Sequence, residues 1–402
     1  MSELLLARQP IFNRNLEVIA YELLYRSVSD RENAKVIDGD LATTQVILDT
    51  FSELGLESIV GNKIAFINLT RNFLIGKFPI PFAPNRVILE IMEDIPIDKP
   101  LIQGVEKLAD DGYTLALDDI VSSKGILPII ESASIVKIDL AAIDRTTLPQ
   151  LVSRFRQFNL KLLAEKVETR QEYELCYRMG FDLFQGYFLC KPKLITSHRM
   201  DSSRLILLRS LAKLQDPEVT FESLEEIIGL DINLGYKLLK LVNSAYYYMP
   251  NEINSIRQAI AILGMEQLRG WITLLLMMNV RENPHELTVI ALFRARMCEQ
   301  LAKASGKSNP ESYFLAGLIS VIDAILDHPM PEIIEQLPLS TEIVQALLNH
   351  EGSIGQILGA VISYEQGNLG AIFLTIVNTA KIQKIYLESI QWVNQVLQRN
   401  KV

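Results

Sequence analysis

The chain has 402 residues, 49% hydrophobic and 22% charged, a globular composition that excludes an intrinsically disordered one. At about 150 residues per domain this length predicts two to three domains, and a barrel can take up more. The net charge of −9 argues against binding a nucleic-acid polymer or an anionic membrane surface, but leaves room for a small anion held by a local cation or a metal. The cysteines Cys176, Cys190 and Cys298 show no CxxC spacing, so neither disulfides nor structural zinc is expected and a reducing cytoplasm fits best. Met1-Ser-Glu-Leu4 carries no basic region, so no secretory leader is expected. The longest apolar run, Trp271–Met278, is far short of the roughly 20 residues that span a bilayer and reads as a buried helix.

In chain order, strands are predicted at Leu4–Arg8, Val18–Leu24, Lys63–Asn68, Val87–Ile91, Thr114–Asp118, Ile135–Asp139, Lys161–Ala164 and Leu183–Leu189. Amphipathic stretches at Leu41–Leu54, Leu101–Ala109, Gln150–Phe158 and Arg170–Met179 lie between them. Apolar runs separated by helices indicate a parallel sheet covered on both faces, and about eight of them suggest a closed (β/α)8 barrel. An open doubly wound sheet is the alternative, but it usually carries a glycine-rich phosphate loop after an early strand, and none is visible. Asn13-Arg14-Asn15 reads as a turn, so the first two strands should form an antiparallel hairpin.

After Lys191-Pro192-Lys193 the pattern turns helical. Leu205, Leu208, Leu211 and Leu214 fall at helical spacing, Ser223–Glu226 is a capping-box pattern, and prolines punctuate the later segments. The domain division is therefore expected near 192–202, with a barrel over 1–197 and an all-helical domain over 198–402.

Side chains at the C-terminal ends of parallel barrel strands converge on one mouth. Glu22, Asn68, Glu90, Asp118, Asp119, Asp139, Glu165 and Gln185 lie at or near such ends, and Lys137 stands two residues before Asp139. A single acid at a strand end is usually a loop residue or helix cap. Several together repel strongly without cations, which hard divalent ions relieve through oxygen ligands. Such ions can activate water and stabilise the leaving oxygen of a phosphodiester, with a nearby lysine offsetting negative charge.

At these residues the chain resembles the EAL family of cyclic di-GMP phosphodiesterases over roughly 1–192. Gln9-Pro10-Ile11 resembles its opening QPI, and Glu22–Arg26 its EAL-x-R motif. Ile67–Thr70 and Leu89–Glu93 resemble its NLS and LEITE stretches, and Asp118-Asp119 its DD. Lys137-Ile138-Asp139 matches KID, Ala164–Glu168 resembles AEGVE, and Gln185–Phe188 resembles QGY-F. The resemblance implies a TIM-like barrel with an antiparallel first strand and metal ligation by Glu22, Asn68, Glu90, Asp118 and Asp119. It implies two Mg²⁺ or Mn²⁺ ions. Glu165, Lys137 and Gln185 would handle the attacking water, Glu168 would support that shell, and Gln9, Arg26 and Asp139 would contact substrate. Departures are visible: Ile120–Lys124 lacks the two glycines the family has after DD, Lys166 stands for glycine in AEGVE, and Leu23 replaces alanine in EAL.

Leu238–Ala245, Ile253–Ile256 and Gln258–Gly264 resemble the HDOD family, an HD-related helical output domain, over roughly 200–390. His198, His285, His328 and His350 are not followed by Asp, so the His-Asp dyad of HD hydrolases is missing and this half is expected to be non-catalytic. Asp327-His328 reads as a helix-terminus pair. Asn243 reads as a buried backbone-bonding residue or a functional one, and Tyr246-Tyr247-Tyr248 as a contact surface or local packing. Two functions stand open: a cyclic di-GMP signalling protein that binds and can hydrolyse the nucleotide, or an inactive scaffold acting through protein contacts. The expected partners are cyclic di-GMP, proteins contacting the helical half and, as an open alternative, a second copy in a homodimer.

Overall fold

The computed structural model describes residues 4–27, 55–118, 120, 125–190, 202–216, 218–220, 223–224, 228, 238, 258, 264–278, 285–366 and 377–400. The chain divides into two compact units, Met1–Leu189 with Tyr364–Leu369 and Cys190–Ser363 with Gly370–Val402.

In the first unit eight strands close into a barrel in sequential order. They are β1 (Leu4–Asn13), β2 (Val18–Ser27), β3 (Ile64–Leu69), β4 (Val87–Ile91), β5 (Thr114–Leu117), β6 (Ile135–Asp139), β7 (Lys161–Glu165) and β8 (Leu183–Gln185). β1 runs antiparallel to both β2 and β8, and all other pairs are parallel. The hairpin turn is built by Asn13, whose Oδ1 accepts the N–H groups of Asn15 and Glu17 at 2.9 and 3.0 Å. A short side chain bonding its own backbone in this way fixes a turn without tertiary help.

Strand limits differ from expectation by one residue at β3, β5 and β7, β2 runs three residues further to Ser27, and the ends of β1 and β8 differ most. β1 continues past Arg8 through Pro10 to Asn13; Pro10 has no N–H to donate, and β8 flanks β1 only at Ile11–Asn13, so on that edge no strand lies beside Pro10 to require one. β8 ends at Gln185 instead of Leu189. Gly186 turns the backbone at φ 144°, and Tyr187–Cys190 forms a 3-10 turn. The helix expected at Leu41–Leu54 lies outside the described residues.

The helix Arg170–Met179 has the limits that its pattern predicts. Thr169 and Glu172 form a reciprocal capping box at its start, and Gly180 closes it in a left-handed conformation at φ 93°. Asp98 caps the helix Lys99–Asp110 by accepting the Leu101 N–H at 3.1 Å. Inside the barrel, Ile11, Ala20, Phe66, Ile88, Ala116, Ile135, Leu163 and Leu183 form one buried apolar layer, one residue from each strand. This layer plugs the barrel, so what stands above it is a closed cup and not a pore.

In the second unit every described element is helical. The run Trp271–Met278 lies in the helix Met265–Met278 and is buried at Trp271, Ile272, Leu274, Leu275 and Met277. Of the leucine stripe, Leu208, Leu211 and Leu214 are buried, but Leu205 is exposed, so the stripe begins one turn later than its spacing suggested. The helices His285–Ala304 and Pro310–Ile319 cross with their backbones close. A Cβ at Gly317 would lie 2.7 Å from the Ala295 backbone. Asp327 caps the helix Ile322–Leu326, and His328 Nε2 lies 2.7 Å from Glu332, a helix-terminus arrangement as expected. Asn243, Tyr246–Tyr248 and two members of the expected capping box, Glu225 and Glu226, lie outside the described residues. No helix of the described residues is long and apolar enough to cross a membrane.

Candidate functional site

Side chains alternate between the two faces of a barrel strand, so the residue two positions beyond an inward one also points inward. Two positions beyond the apolar layer, counted backwards on the antiparallel β1, stand Gln9, Glu22, Asn68, Glu90, Asp118, Lys137, Glu165 and Gln185. The layer at the C-terminal ends of the parallel strands is therefore polar or charged on every strand. The in-register pairs Gln9 with Glu22 and Asn68 with Glu90 bring neighbours side by side.

Lys137 is the hub. Its ammonium is fully buried and lies 2.5 Å from Glu90, 2.7 Å from Asp118, 3.0 Å from Glu165 and 3.3 Å from Glu22. Gln185 Nε2 donates to Glu22 Oε2 at 2.5 Å and to Gln9 Oε1 at 2.9 Å, which leaves its own oxygen facing elsewhere. Asn68 Nδ2 donates to Glu22 Oε1 at 3.4 Å. Apart from the ion pairs to Lys137, several buried oxygens accept no hydrogen bond: Asn68 Oδ1, both oxygens of Glu90, Asp118 Oδ1, Glu165 Oε2 and Gln185 Oε1. Buried acceptors left this way are costly unless a cation satisfies them. Glu22, Glu90 and Asp118 each offer an oxygen within 4.8 Å of the others, a donor set that suits a hard divalent ion.

Against proteins already described, the chain is 35% identical to the uncharacterized protein YuxH of Bacillus subtilis (strain 168), over 97% of this chain and 98% of that one. It is 33% identical to the cyclic di-GMP phosphodiesterase CdgJ of Vibrio cholerae serotype O1, over 90% of this chain and 85% of that one. The EAL domain model matches residues 2–192 and the HDOD domain model residues 204–375. The chain belongs to the EAL–HDOD family. Among solved structures, the Bacillus subtilis YkuI protein, in complex with c-di-GMP and calcium, aligns at 20% identity and a TM-score of 0.39, over 65% of this chain and 72% of that one.

The polar ring lies wholly within the EAL segment, and its electrostatics follow from burial. Desolvation pushes Glu90 well above the usual carboxylate range, and the Glu22 and Asp118 charges add to this against the pull of Lys137. Burial likewise pushes Glu165 up to about 8, with Lys137 opposing. For Glu22, burial raises the pKa, but the Lys137 charge and the hydrogen bonds from Gln185 and Lys137 outweigh it and leave it below the ordinary value. Burial alone would lower the Lys137 pKa. The surrounding carboxylates overcome that and hold its pKa well above normal.

Among the other expected EAL residues, the side chains of Asp139 and Glu168 are described. Asp139 ends β6, one inward layer beyond Lys137, and its buried carboxylate binds Lys166 Nζ at 2.5 Å. Glu168 lies three residues past β7 with an exposed side chain, and its carboxylate is not among those that meet at Lys137. Arg26 is on β2, four residues beyond Glu22 and paired in register with Leu5. Its side chain and Asp119 lie outside the described residues. Thr70 stands two residues beyond Asn68, and its buried hydroxyl oxygen makes no hydrogen bond.

Proposed function

We propose that the EAL barrel binds cyclic di-GMP over the Lys137 carboxylate ring and hydrolyses one of its phosphodiester bonds, with the helical HDOD half passing the signal to protein partners. The buried acceptor oxygens around a single ammonium carry this reading. Glu22, Asn68, Glu90 and Asp118, with Asp119, would hold one or two Mg²⁺ or Mn²⁺ ions. A divalent ion supplies Lewis acidity that favours hydroxide formation and offsets charge on the phosphodiester.

Within that frame each side chain has a task. Glu165, pushed up to about 8 by burial, would lose its proton when a divalent ion binds the ring, and its carboxylate could then take a proton from the attacking water. Lys137 stays protonated and holds Glu165 Oε1 at 3.0 Å, which fixes the direction of its other oxygen. Gln185 donates to Glu22 and Gln9, so its carbonyl oxygen is left to accept from water. Gln9, Arg26 and Asp139 would bind the nucleotide outside this layer, and Glu168 would support Glu165 from the following loop.

The scaffold reading has one observation of its own. Asp139, which would face substrate, is already bonded to Lys166. Purified protein, cyclic di-GMP and Mn²⁺, followed for the linear dinucleotide, separate the two. Product from the wild type and none from Glu22→Ala supports hydrolysis. Binding without product in either protein refutes it and favours the receptor or scaffold.

A further inference from the structure

Thr70 follows β3, and its backbone, at φ −76° and ψ 162°, is still extended. The alternation of the strand therefore continues through it, with Asn68 inward, Leu69 outward and buried, and Thr70 inward, one level above Asn68. β3 lies between β2 and β4, the strands that carry Glu22 and Glu90. Thr70 also precedes the helix Arg71–Leu74, a position where a threonine side chain ordinarily accepts an N–H of the first turn. Here the backbone carbonyl of Thr70 accepts the Phe73 and Leu74 N–H groups, at 3.1 and 3.3 Å, and the side chain caps nothing. Its buried hydroxyl oxygen makes no hydrogen bond. Asn68 Oδ1 is in the same condition, although the amide nitrogen of that side chain donates to Glu22 at 3.4 Å. Buried oxygens left this way cost stability, so two on successive levels of one strand call for a partner from outside the chain.

We propose that the Thr70 hydroxyl belongs to the divalent-ion site and positions the ion's water shell by accepting a hydrogen bond above Asn68. This rests on the reading of the ring as a divalent-ion site. Hard divalent ions, Mg²⁺ above all, keep several waters when a protein binds them, and those waters need acceptors. A hydroxyl supplies one without adding charge to a ring that already gathers four carboxylates around one ammonium. Thr70 is thus a positioning residue, acting through the water that it holds.

The test measures Mn²⁺ affinity by calorimetry, without nucleotide, and thermal melting in EDTA, on the full-length wild type, Thr70→Val and Thr70→Ser. Valine keeps the branched shape without the oxygen, and serine keeps the oxygen. Losing a group that supports a metal site from outside its ligands costs about 10- to 100-fold in affinity, so Thr70→Val should bind Mn²⁺ at least about tenfold more weakly. Its melt in EDTA should not fall, because the hydroxyl that it loses makes no hydrogen bond in the metal-free chain. Thr70→Ser should bind Mn²⁺ as the wild type does. Wild-type affinity in Thr70→Val, an equal weakening in Thr70→Ser, or a lower melt of Thr70→Val in EDTA overturns the inference. A wild type that binds no Mn²⁺ overturns the divalent-ion reading and this inference with it.

Discussion

Replacing Lys137 with Met keeps the length of the side chain and removes the buried charge that four carboxylates share at 2.5 to 3.3 Å. Removing one partner of a buried ion pair costs about 3–5 kcal/mol, because the remaining charge is stranded. Here the acids can escape part of that cost by protonation. Glu90 and Glu165 already have raised pKa values, and both rise further without the ammonium. The loss should therefore sit near the lower figure at pH 6 and near the upper one at pH 8.5. At roughly 2–4 °C per kcal/mol for a domain of this size, the barrel transition should fall by roughly 6–20 °C. Thermal melts in EDTA at both pH values measure this, and adding Mn²⁺ should restore more stability to the variant than to the wild type. An unchanged melt at both pH values, or a larger loss at acid pH, would refute Lys137 as the counter-charge of the ring.

Other outcomes follow from the same geometry. Gly186→Ala places a methyl 2.2 Å from the Val167 oxygen at a φ of 144°, and should cost more than about 3 kcal/mol in urea unfolding. An equally stable variant would show that the β7–β8 approach is not tight. Without metal, folded Glu165 holds a proton up to about pH 8, whereas an ordinary glutamate loses it near 4.5. A raised acid pKa means that stability falls as pH rises through that window and levels off above it. Divalent ions must displace that proton, so calorimetry in two buffers of different ionisation enthalpy at pH 7 should show proton release on binding. Zero release would contradict protonated acids in the ring.

The barrel was legible because its strands are apolar runs ended by polar residues. Val87–Ile91 and Ile135–Asp139 have the predicted limits. The ends of β1 and β8 were not legible, because they depend on which neighbour flanks Pro10 and on how Gly186 packs against Val167. Strand-end position pointed to the acids one by one, and the two-residue step from the apolar layer explains why they share a level. That Lys137 touches four of them needed the closed barrel, since these residues come from five strands or strand ends. Lys166 was visible as a departure from a glycine, but its left-handed backbone and its bond to Asp139 were not, because both depend on how the segment after β7 packs against neighbouring strands. In the helical half, spacing grouped Leu205 with three buried leucines, although the first turn of a helix is free to face outward.

The measurement that bears most directly on the account is an anomalous difference map from crystals grown in Mn²⁺. The account predicts at least one peak among Glu22, Asn68, Glu90 and Asp118, about 2 to 2.5 Å from their oxygens. A map without a peak there, with the Lys137 ammonium still seated on Glu90 and Asp118, would contradict a metal site in this ring.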